Sequence, residues 1–138
     1  VEINESVAPL LFWRKEYQPD SGGSGRYRGG LGQVIEIENA IGQDMELLAA
    51  FDRIDFPARG RAGGADGAAG RVALKKNGEL QGKGCQHIPA GDRLIINTPG
   101  GGGFGPAPER DRQRVRRDLT NGIISHHAAV GDYALTDG

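Results

Sequence analysis

The sequence predicts a mainly β fold of small sheets or a barrel-like β part, with glycine-rich polyproline II-like segments and a short C-terminal helical tail. Two observations predict it. Short runs rich in β-branched and aromatic residues, typical of strands, recur through the first two thirds of the chain. Glycine supplies 24 of 138 residues, against a usual share of about 7%. We expect a single domain, with a β- and glycine-rich core over residues 1–105 and a helical tail over 106–138.

Strands are predicted wherever apolar and β-branched residues cluster between turn signals. The predicted strands are residues 10–18, 33–38, 45–51, 71–76 and 91–98. The stretch before the third strand, residues 39–43, is typical of a hairpin turn, although the third run also fits a helix. Asn77-Gly78 predicts a tight hairpin after the fourth strand. Ala90-Gly91 predicts a turn into the last strand.

The first of two predicted helices covers residues 109–120. Pro108 suits a first helical turn. Val115 and Leu119 lie one helical repeat apart, which is the spacing of an apolar helix face. Asn121-Gly122 then supplies a stop signal.

A second, shorter helix is predicted over residues 126–130, with Ser125 as its cap and Gly131 at its end. The first helix carries interleaved basic and acidic side chains, which favour a solvated face or a subunit contact over an anion-binding face. These side chains are Glu109, Arg110, Asp111, Arg112, Arg114, Arg116, Arg117 and Asp118.

Glycine is concentrated in three segments, at residues 20–32, 59–70 and 98–106. None of them has the lysine and hydroxyl of a phosphate-binding loop, and the first misses the dinucleotide-binding pattern by one residue. Many of these glycines lie three residues apart, the period of a polyproline II helix, so we predict close-packed extended segments. The predicted structural glycines are Gly22, Gly23, Gly25, Gly29, Gly30, Gly32, Gly60, Gly63, Gly64, Gly67, Gly70, Gly100, Gly101, Gly102, Gly103 and Gly105.

An anion-binding alternative stays open for these segments. Arg26 and Arg28 flank backbone amides that would form a nest for phosphate if they were exposed. The chain would then be a small anion-binding module using the amides of residues 22–32 or 100–105. Turns and close packing are the favoured interpretation.

Charge and cysteine content argue against several classes of partner. Seventeen Lys and Arg against eighteen Asp and Glu give a net charge of −1, so neither nucleic acid nor a membrane surface is expected. Cys85 is the only cysteine and cannot form an internal disulfide, which favours a reducing compartment, by default the cytoplasm. No apolar run approaches the roughly 20 residues that span a bilayer.

The reactive side chains match no metal or nucleophile pattern well. Cys85 and His87, with His126 and His127, would make a poor zinc site because structural zinc needs four ligands at recognisable spacing. Cys85 is interpreted as a buried or idle thiol, and residues 86–87 as part of a loop. We therefore expect no catalytic residue and no metal ligand in this chain.

Asp20 and Ser21 are adjacent, but no histidine stands in a recognisable relation to them. We expect Asp20 to hold a turn through hydrogen bonds to backbone amides. The larger aromatic side chains are expected to pack in the core or at an interface. They are Trp13, Tyr17, Tyr27 and Phe104.

Four stretches are specific enough to carry a family resemblance: PDSGGSGRYRGGLG, FDRIDFPARGRAGG, GDRLIINTPGGGGFG and ERDRQRVRRDLTNGIISHHAAVGDY. In this order and spacing they resemble the C-terminal part of hydantoinase B/oxoprolinase family proteins. The resemblance begins near EINESVAPL and covers essentially the whole chain. Phe104 stands where the family commonly has tyrosine, Pro106 where an Asp-Pro pair is usual, and Ala134 where Tyr-Gly is expected.

The resemblance implies a B-type partner of hydantoinase A-type subunits, which have an actin-like ATP-binding fold. It implies ATP-dependent reactions on carbonyl compounds, either hydrolysis of hydantoins and 5-oxoproline or carboxylation of acetone and acetophenone through phosphorylated intermediates. ATP with Mg or Mn is expected in the partner subunits, and the catalytic and metal-binding residues in a larger preceding region of the B-type protein.

A chain of this size is similar to the small subunit of acetophenone carboxylase-like complexes, which is the first expectation from the resemblance. The C-terminal part of an ATP-dependent hydantoinase or 5-oxoprolinase would look the same. In either case we expect a structural and assembly role, alongside hydantoinase A-type subunits and the larger part of a hydantoinase B-type subunit.

Overall fold

The structure, a computed structural model, describes residues 1–136. After a short first helix, strands come first and helices last, as predicted. In chain order the elements are α1 (Glu2–Val7), β1 (Leu10–Tyr17), β2 (Gln33–Asn39), β3 (Met45–Ala50), β4 (Arg71–Leu74), β5 (Gly78–Glu79), β6 (Lys83–Ile88), β7 (Arg93–Asn97), a 3₁₀ turn (Ala107–Glu109), α2 (Arg112–Thr120) and α3 (His126–Gly131). None of the helices within residues 1–136 is long and apolar enough to cross a membrane.

The strands form two antiparallel sheets. The larger has five strands in the order β1-β2-β7-β4-β5, so β7 returns to lie between β2 and β4. The smaller pairs β3 with β6, from Met45 opposite Ile88 to Ala50 opposite Lys83. The predicted mainly β fold, with small sheets and a short helical C-terminal part, is confirmed.

The first hydrophobic core lies between the two sheets. Side chains alternate across a strand, so Leu94 of β7 lies opposite Leu74 of β4, and Ile96 opposite Val72, on one face. Ile88 of the smaller sheet packs onto this face and is 2% exposed. Burying an aliphatic side chain of this size contributes about 1.5–3 kcal/mol. The burial of these side chains therefore holds the two sheets together.

The second hydrophobic core is built by the two C-terminal helices and the residues that follow them. Its buried members are Val115, Ile124, Ala129, Tyr133 and Leu135. Ser125 caps α3 as predicted, with its Oγ accepting a hydrogen bond from the Ala128 amide at 3.1 Å. The chain thus has one apolar core in each of its β and helical parts.

The helix predicted over residues 109–120 begins later than expected. A 3₁₀ turn occupies Ala107–Glu109, and α2 starts at Arg112. Asp111 takes the cap position, where its side chain accepts a hydrogen bond from the Arg114 amide at 3.0 Å. An aspartate at this position satisfies an amide that has no partner within the helix, so the cap sets the start.

Two predictions within the β region are wrong. Residues 39–43 do not form a hairpin, because β2 and β3 belong to different sheets. The turn there, with Gly42 at a φ of +68°, instead carries the chain from the larger sheet to the smaller. Residues 86–87 lie in β6 rather than in a loop. The hairpin at Asn77-Gly78 does form, joining β4 to β5.

Contacts cross the predicted division between residues 1–105 and 106–138. The amide of Ser125 donates a hydrogen bond to Asp20 Oδ1 at 2.8 Å, and the Asp20 amide donates to the carbonyl of Ile123 at 3.1 Å. The two parts therefore touch through backbone and side chain, and the division itself stays a prediction.

Candidate functional site

The three glycine segments, residues 20–32, 59–70 and 98–106, lie against one another and are called the glycine layer below. Their backbones are joined directly. The Gly23 amide donates to the carbonyl of Gly101 at 2.8 Å, and the Gly103 amide donates to the carbonyl of Ala65 at the same distance. Residues 98–106 thus contact both of the other segments. A bridge between Tyr27 and Phe104 extends this pairing.

Most glycines of the layer have no room for a side chain. A Cβ at Gly29 would overlap the Gly101 carbonyl, and one at Gly100 would overlap the Ser21 carbonyl. A Cβ would meet backbone atoms of another residue closer than 3.0 Å at eleven of the predicted structural glycines. They are Gly22, Gly23, Gly25, Gly29, Gly32, Gly60, Gly64, Gly67, Gly100, Gly102 and Gly103. The backbones therefore approach one another so closely that only glycine, which has no side chain, fits between them. A polyproline II conformation of these segments stays a prediction.

Many backbone amides of the layer donate hydrogen bonds within it. The amide of Gly29 donates to the Gly23 carbonyl, that of Gly101 to the Gly30 carbonyl, and that of Gly105 to the Arg61 carbonyl. An anion nest needs amides that converge on an empty position. Amides that already donate to carbonyl oxygens disfavour the phosphate-binding interpretation of residues 22–32 and 100–105.

Arg26 and Arg28, the predicted anion contacts, have different surroundings. The Arg26 side chain is exposed, lies 5.8 Å from the Tyr27 ring centroid and is 3.9 Å from a Glu109 carboxylate oxygen. The Arg28 side chain is largely buried, with Nε 3.2 Å from Asp118 Oδ2 and Nη1 donating to its neighbour's carbonyl at 2.7 Å. Each arginine therefore already faces a carboxylate of this chain.

A buried charge cluster links the first glycine segment to the C-terminal helices. Arg110 donates through Nη2 to Asp118 Oδ2 at 2.8 Å and through Nη1 to the carbonyl of Arg26 at 3.2 Å. Arg28 reaches the same Asp118 oxygen, so two guanidinium groups share one carboxylate. Burial raises the pKa of the adjacent Tyr133, while the positive charge of Arg110 opposes that shift.

The solvated-face prediction is therefore wrong for Arg110 and Asp118, which are 8% and 3% exposed. Sequence reasoning missed this cluster, although one signal pointed to it. Asp118 lies three residues after Val115, on the same helix face, and that face is buried. A carboxylate on an apolar helix face needs a cationic partner, because an unpaired buried charge is strongly unfavourable.

Asp20 and Ser21 hold structure at the edge of the layer. Asp20 has a φ of +59°, and its carboxylate accepts from the Ser125 amide, so it fixes the turn through an amide distant in sequence. Ser21 is 1% exposed. Its Oγ donates to the Gln18 carbonyl at 2.6 Å and accepts from the Gly32 amide at 2.9 Å. A hydroxyl that both donates and accepts a hydrogen bond and is shielded from solvent has a structural role.

Cys85 was interpreted as a buried or idle thiol, and the buried alternative is wrong because the residue is exposed. Its Sγ lies 3.6 Å from Glu46 Oε2 across the smaller sheet. The negative charge of Glu46 raises the pKa of the Cys85 thiol, with smaller contributions from burial and the hydrogen bond. The thiolate is thereby disfavoured, the opposite of what a nucleophilic cysteine needs. His87, on the same strand, faces Asp44 at 3.4 Å. Within residues 1–136, no group of three or more His, Cys, Asp or Glu side chains is placed to hold a metal ion.

The larger aromatic side chains lie at the surface. Trp13 and Tyr17 are 52% and 67% exposed, and Tyr27 and Phe104 are 55% and 54% exposed. The expectation that they pack in the core is therefore wrong, and the alternative expectation of an interface stays a prediction. The rings of Tyr27 and Phe104 lie 6.3 Å apart, which puts two half-exposed aromatic groups side by side on the glycine layer.

Known proteins share long stretches of this sequence. An uncharacterized protein of Methanocaldococcus jannaschii is 37% identical over 138 residues, which covers 98% of this chain and 24% of that protein. 5-Oxoprolinase 1 of Arabidopsis thaliana is 41% identical over 108 residues, 75% of this chain and 8% of the relative. Caprolactamase subunit beta of Pseudomonas jessenii is 31% identical over 148 residues, 98% of this chain and 24% of the relative. The chain spans about a quarter or less of the length of these relatives.

Two solved structures have the same fold. The ATP-dependent caprolactamase from Pseudomonas jessenii superposes with a TM-score of 0.77 at 29% identity, covering 100% of this chain and 25% of that one. Nucleotide-free acetone carboxylase gives a TM-score of 0.76 at 21% identity, covering 98% of this chain and 22% of that one. At that identity the second likeness is one of fold alone, and the specific resemblance to an acetophenone carboxylase small subunit is not confirmed.

The family expected from the four sequence stretches is confirmed. The model of the family described as hydantoinase B/oxoprolinase matches residues 1–107, well over half of the chain. The relatives at 37% and 31% identity extend the similarity along nearly all of it. This chain belongs to the hydantoinase B/oxoprolinase family.

Proposed function

We propose that this chain is a structural portion of a hydantoinase B-type component and serves the assembly of an ATP-dependent enzyme complex that hydrolyses a cyclic amide. The observation that carries the proposal is the internal use of its polar groups. Many amides of the glycine layer donate to carbonyl oxygens of the same layer, and Arg28 and Arg110 share Asp118. Groups committed in this way hold a fold together and are not free to act on a substrate.

The catalytic residues are proposed to lie outside this chain. They would lie in the larger part of the hydantoinase B-type component and in a hydantoinase A-type subunit, which would bind ATP with Mg or Mn. The relatives support this division, because about three quarters of caprolactamase subunit beta lies outside the region that this chain covers. The word subunit in that relative's name also fits a complex of more than one polypeptide.

A cyclic amide is the substrate class that the relatives favour. 5-Oxoproline and caprolactam, the compounds in the names of two relatives at 41% and 31% identity, both contain an amide bond within a ring. Acetone carboxylase shares the fold at 21% identity, which carries no argument about substrate. Carboxylation of a ketone such as acetophenone, the first expectation from the sequence, is therefore the second candidate.

The assembly role is tested by recovering the complex through this chain. A tag on the polypeptide that contains these residues should recover an ATP-binding subunit from cells that make the whole complex. The Gly64→Ala variant should recover much less of that subunit, because the added Cβ would collide with the backbone of Gly103. Gly131→Ala is the matched control, since nothing lies within 4 Å of a Cβ there. Equal recovery with both variants would contradict the structural role.

The substrate class is tested on the purified complex by the release of ADP from ATP. Stimulation by 5-oxoproline, caprolactam or a hydantoin is the expected result. Stimulation that needs both bicarbonate and a ketone would overturn the cyclic-amide proposal in favour of the carboxylase. Each assay has its control in the same complex without the organic substrate.

A further inference from the structure

A groove of about 390 Å³ lies beside the buried charge cluster. It opens between the end of β1, the first glycine segment and the turn that follows α2. Its lining residues are Tyr17, Arg28, Gly30, Leu31, Asn121, Gly122 and Ile123. Arg28 is the one charged residue among them, so the groove has a single cationic group among otherwise uncharged, mostly apolar walls.

Gly30 differs from the other glycines of its segment. Its neighbours Gly29 and Gly32 are pressed against the backbones of Gly101 and Thr98. Nothing lies within 4 Å of a Cβ placed at Gly30, and its φ is outside the range that demands glycine. Packing within residues 1–136 therefore does not account for a glycine at this position. A bare Cα on the wall of a groove does allow a second backbone to approach closely.

The charge of the cluster beside the groove is unbalanced. Arg28 and Arg110 share the single carboxylate of Asp118, which leaves one positive charge in excess. Arg28 Nε donates to Asp118 and Nη1 to the Gly29 carbonyl, whereas Nη2 makes no hydrogen bond within residues 1–136. An anionic group in the groove would accept a hydrogen bond from Nη2 and balance the excess positive charge.

We propose that the groove binds an extended, acidic segment of the companion, meaning the part of the hydantoinase B-type component that lies outside these residues. A carboxylate of that segment pairs with Arg28, and its backbone passes over Gly30. This inference rests on the proposed function, which supplies the companion. Two of the relatives are about four times as long as this chain, so most of such a protein remains available to fill the groove.

Site-specific crosslinking in the assembled complex tests the occupant. Tyr17 is 67% exposed on the groove wall, so Tyr17→p-benzoylphenylalanine puts a longer, photoreactive benzophenone side chain at the entrance, where solvent leaves room for it. Irradiation should join position 17 to one segment of the companion, and mass spectrometry of the crosslinked peptide should find Asp or Glu within it. The method works whether the companion is a separate polypeptide or part of the same one.

Two glycine variants in the crosslinking background give a matched comparison. Gly30→Leu adds an isobutyl side chain to the groove wall from a Cβ position that has no atom within 4 Å, and the crosslink yield should fall about tenfold. Gly131→Leu is equally exposed and equally open, and its yield should equal that of the unsubstituted complex. Replacing the acidic residue of the crosslinked segment by its amide should also lower the yield.

Several results would overturn the proposal. They are a crosslink only to a second copy of this chain, a crosslink to a segment without an acidic residue, no crosslink, or equal yields from the two glycine variants. Recovery of the ATP-binding subunit in the same preparation distinguishes failure of the groove proposal from failure of the proposed function. If that subunit is present and the crosslink is not, the groove proposal fails while the proposed function stands.

Discussion

The Arg110 guanidinium lies 2.8 Å from the carboxylate of Asp118, and both side chains are buried. Arg28, ninety residues earlier in the chain than Asp118, reaches the same oxygen at 3.2 Å. One carboxylate therefore joins the first glycine segment, the approach to α2 and α2 itself. The arrangement explains how a polar helical tail with few apolar residues stays on the β part.

Asp118→Asn should destabilise the protein strongly. The substitution leaves Arg28 and Arg110 buried beside each other without a counter-charge, and breaking a buried pair in this way costs about 3–5 kcal/mol. The measurement is the midpoint of thermal or urea unfolding of the purified protein. Glu16→Gln is the control, since Glu16 pairs with Arg14 at the surface and such pairs contribute about 0–1 kcal/mol. Similar losses in the two variants would contradict a structural role for the cluster.

Adjacent glycines should respond in opposite ways to alanine. Gly29→Ala places a Cβ on the Gly101 carbonyl and should cost more than about 4 kcal/mol, because backbone atoms cannot move aside cheaply. Gly30→Ala meets nothing within 4 Å and should change the unfolding free energy by no more than about 1 kcal/mol, with stabilisation expected. The urea midpoint of each variant measures the change in stability. A large loss in Gly30→Ala would refute the open geometry at that position.

Alkylation of Cys85 should accelerate when Glu46 loses its charge. The Glu46 carboxylate raises the pKa of the thiol, so Glu46→Gln lowers that pKa and increases the thiolate fraction at a given pH. The pH profile of the iodoacetamide rate should shift to lower pH. Glu79→Gln serves as the control, because Glu79 pairs with Arg71 in the other sheet. An unchanged profile in Glu46→Gln would show that the carboxylate does not act on the thiol.

Asp92 should contribute to the loss of stability in acid. Burial raises its pKa, but hydrogen bonds from the amides of Arg93 and Lys76 and from the Asn77 side chain more than offset this, and the net shift is downward. A lowered pKa in the folded state gives stability that is present above the unfolded-state pKa and lost as the pH falls.

Asp92→Asn should therefore be less stable than the unsubstituted protein at pH 7, and its stability should fall less steeply below about pH 5. Unfolding free energies measured between pH 7 and pH 3 give both quantities. Asp55→Asn, at an exposed position, is the control and should follow the unsubstituted curve. Parallel curves for Asp92→Asn and the unsubstituted protein would show that the pKa of Asp92 is not lowered in the folded state.

Much of the fold was predictable because local patterns agree with it. The β-branched runs, the Ser125 cap and the hairpin at Asn77-Gly78 are local signals, and the structure bears them out. β6 was missed because its sequence, KGCQHI, has one strong β-former and is mostly exposed. Its strand conformation comes from pairing with β3, which no local pattern reveals.

The candidate site was less predictable, because its geometry depends on residues far apart in the chain. The absence of a phosphate-loop lysine favoured close packing as the role of the glycines, but only the fold shows which backbone each glycine meets. Arg28 stood out in the sequence as a possible anion contact, but its intramolecular partner Asp118, ninety positions away, could not be identified there. The Tyr27 and Phe104 rings were expected to pack in the core or at an interface, and the core alternative fails because both rings lie half-exposed on a layer of bare backbone.

The glycine layer also constrains how the chain folds. Its three segments are separated by long stretches of sequence, and residues 98–106 contact both of the others. During synthesis the first two segments therefore emerge from the ribosome without the third, and loop closure over such distances is slow. The strand that completes the larger sheet, β7, leaves the ribosome just before the last glycine segment. We therefore expect the larger sheet to be completed and the glycine segments to pack in one cooperative step, late in translation.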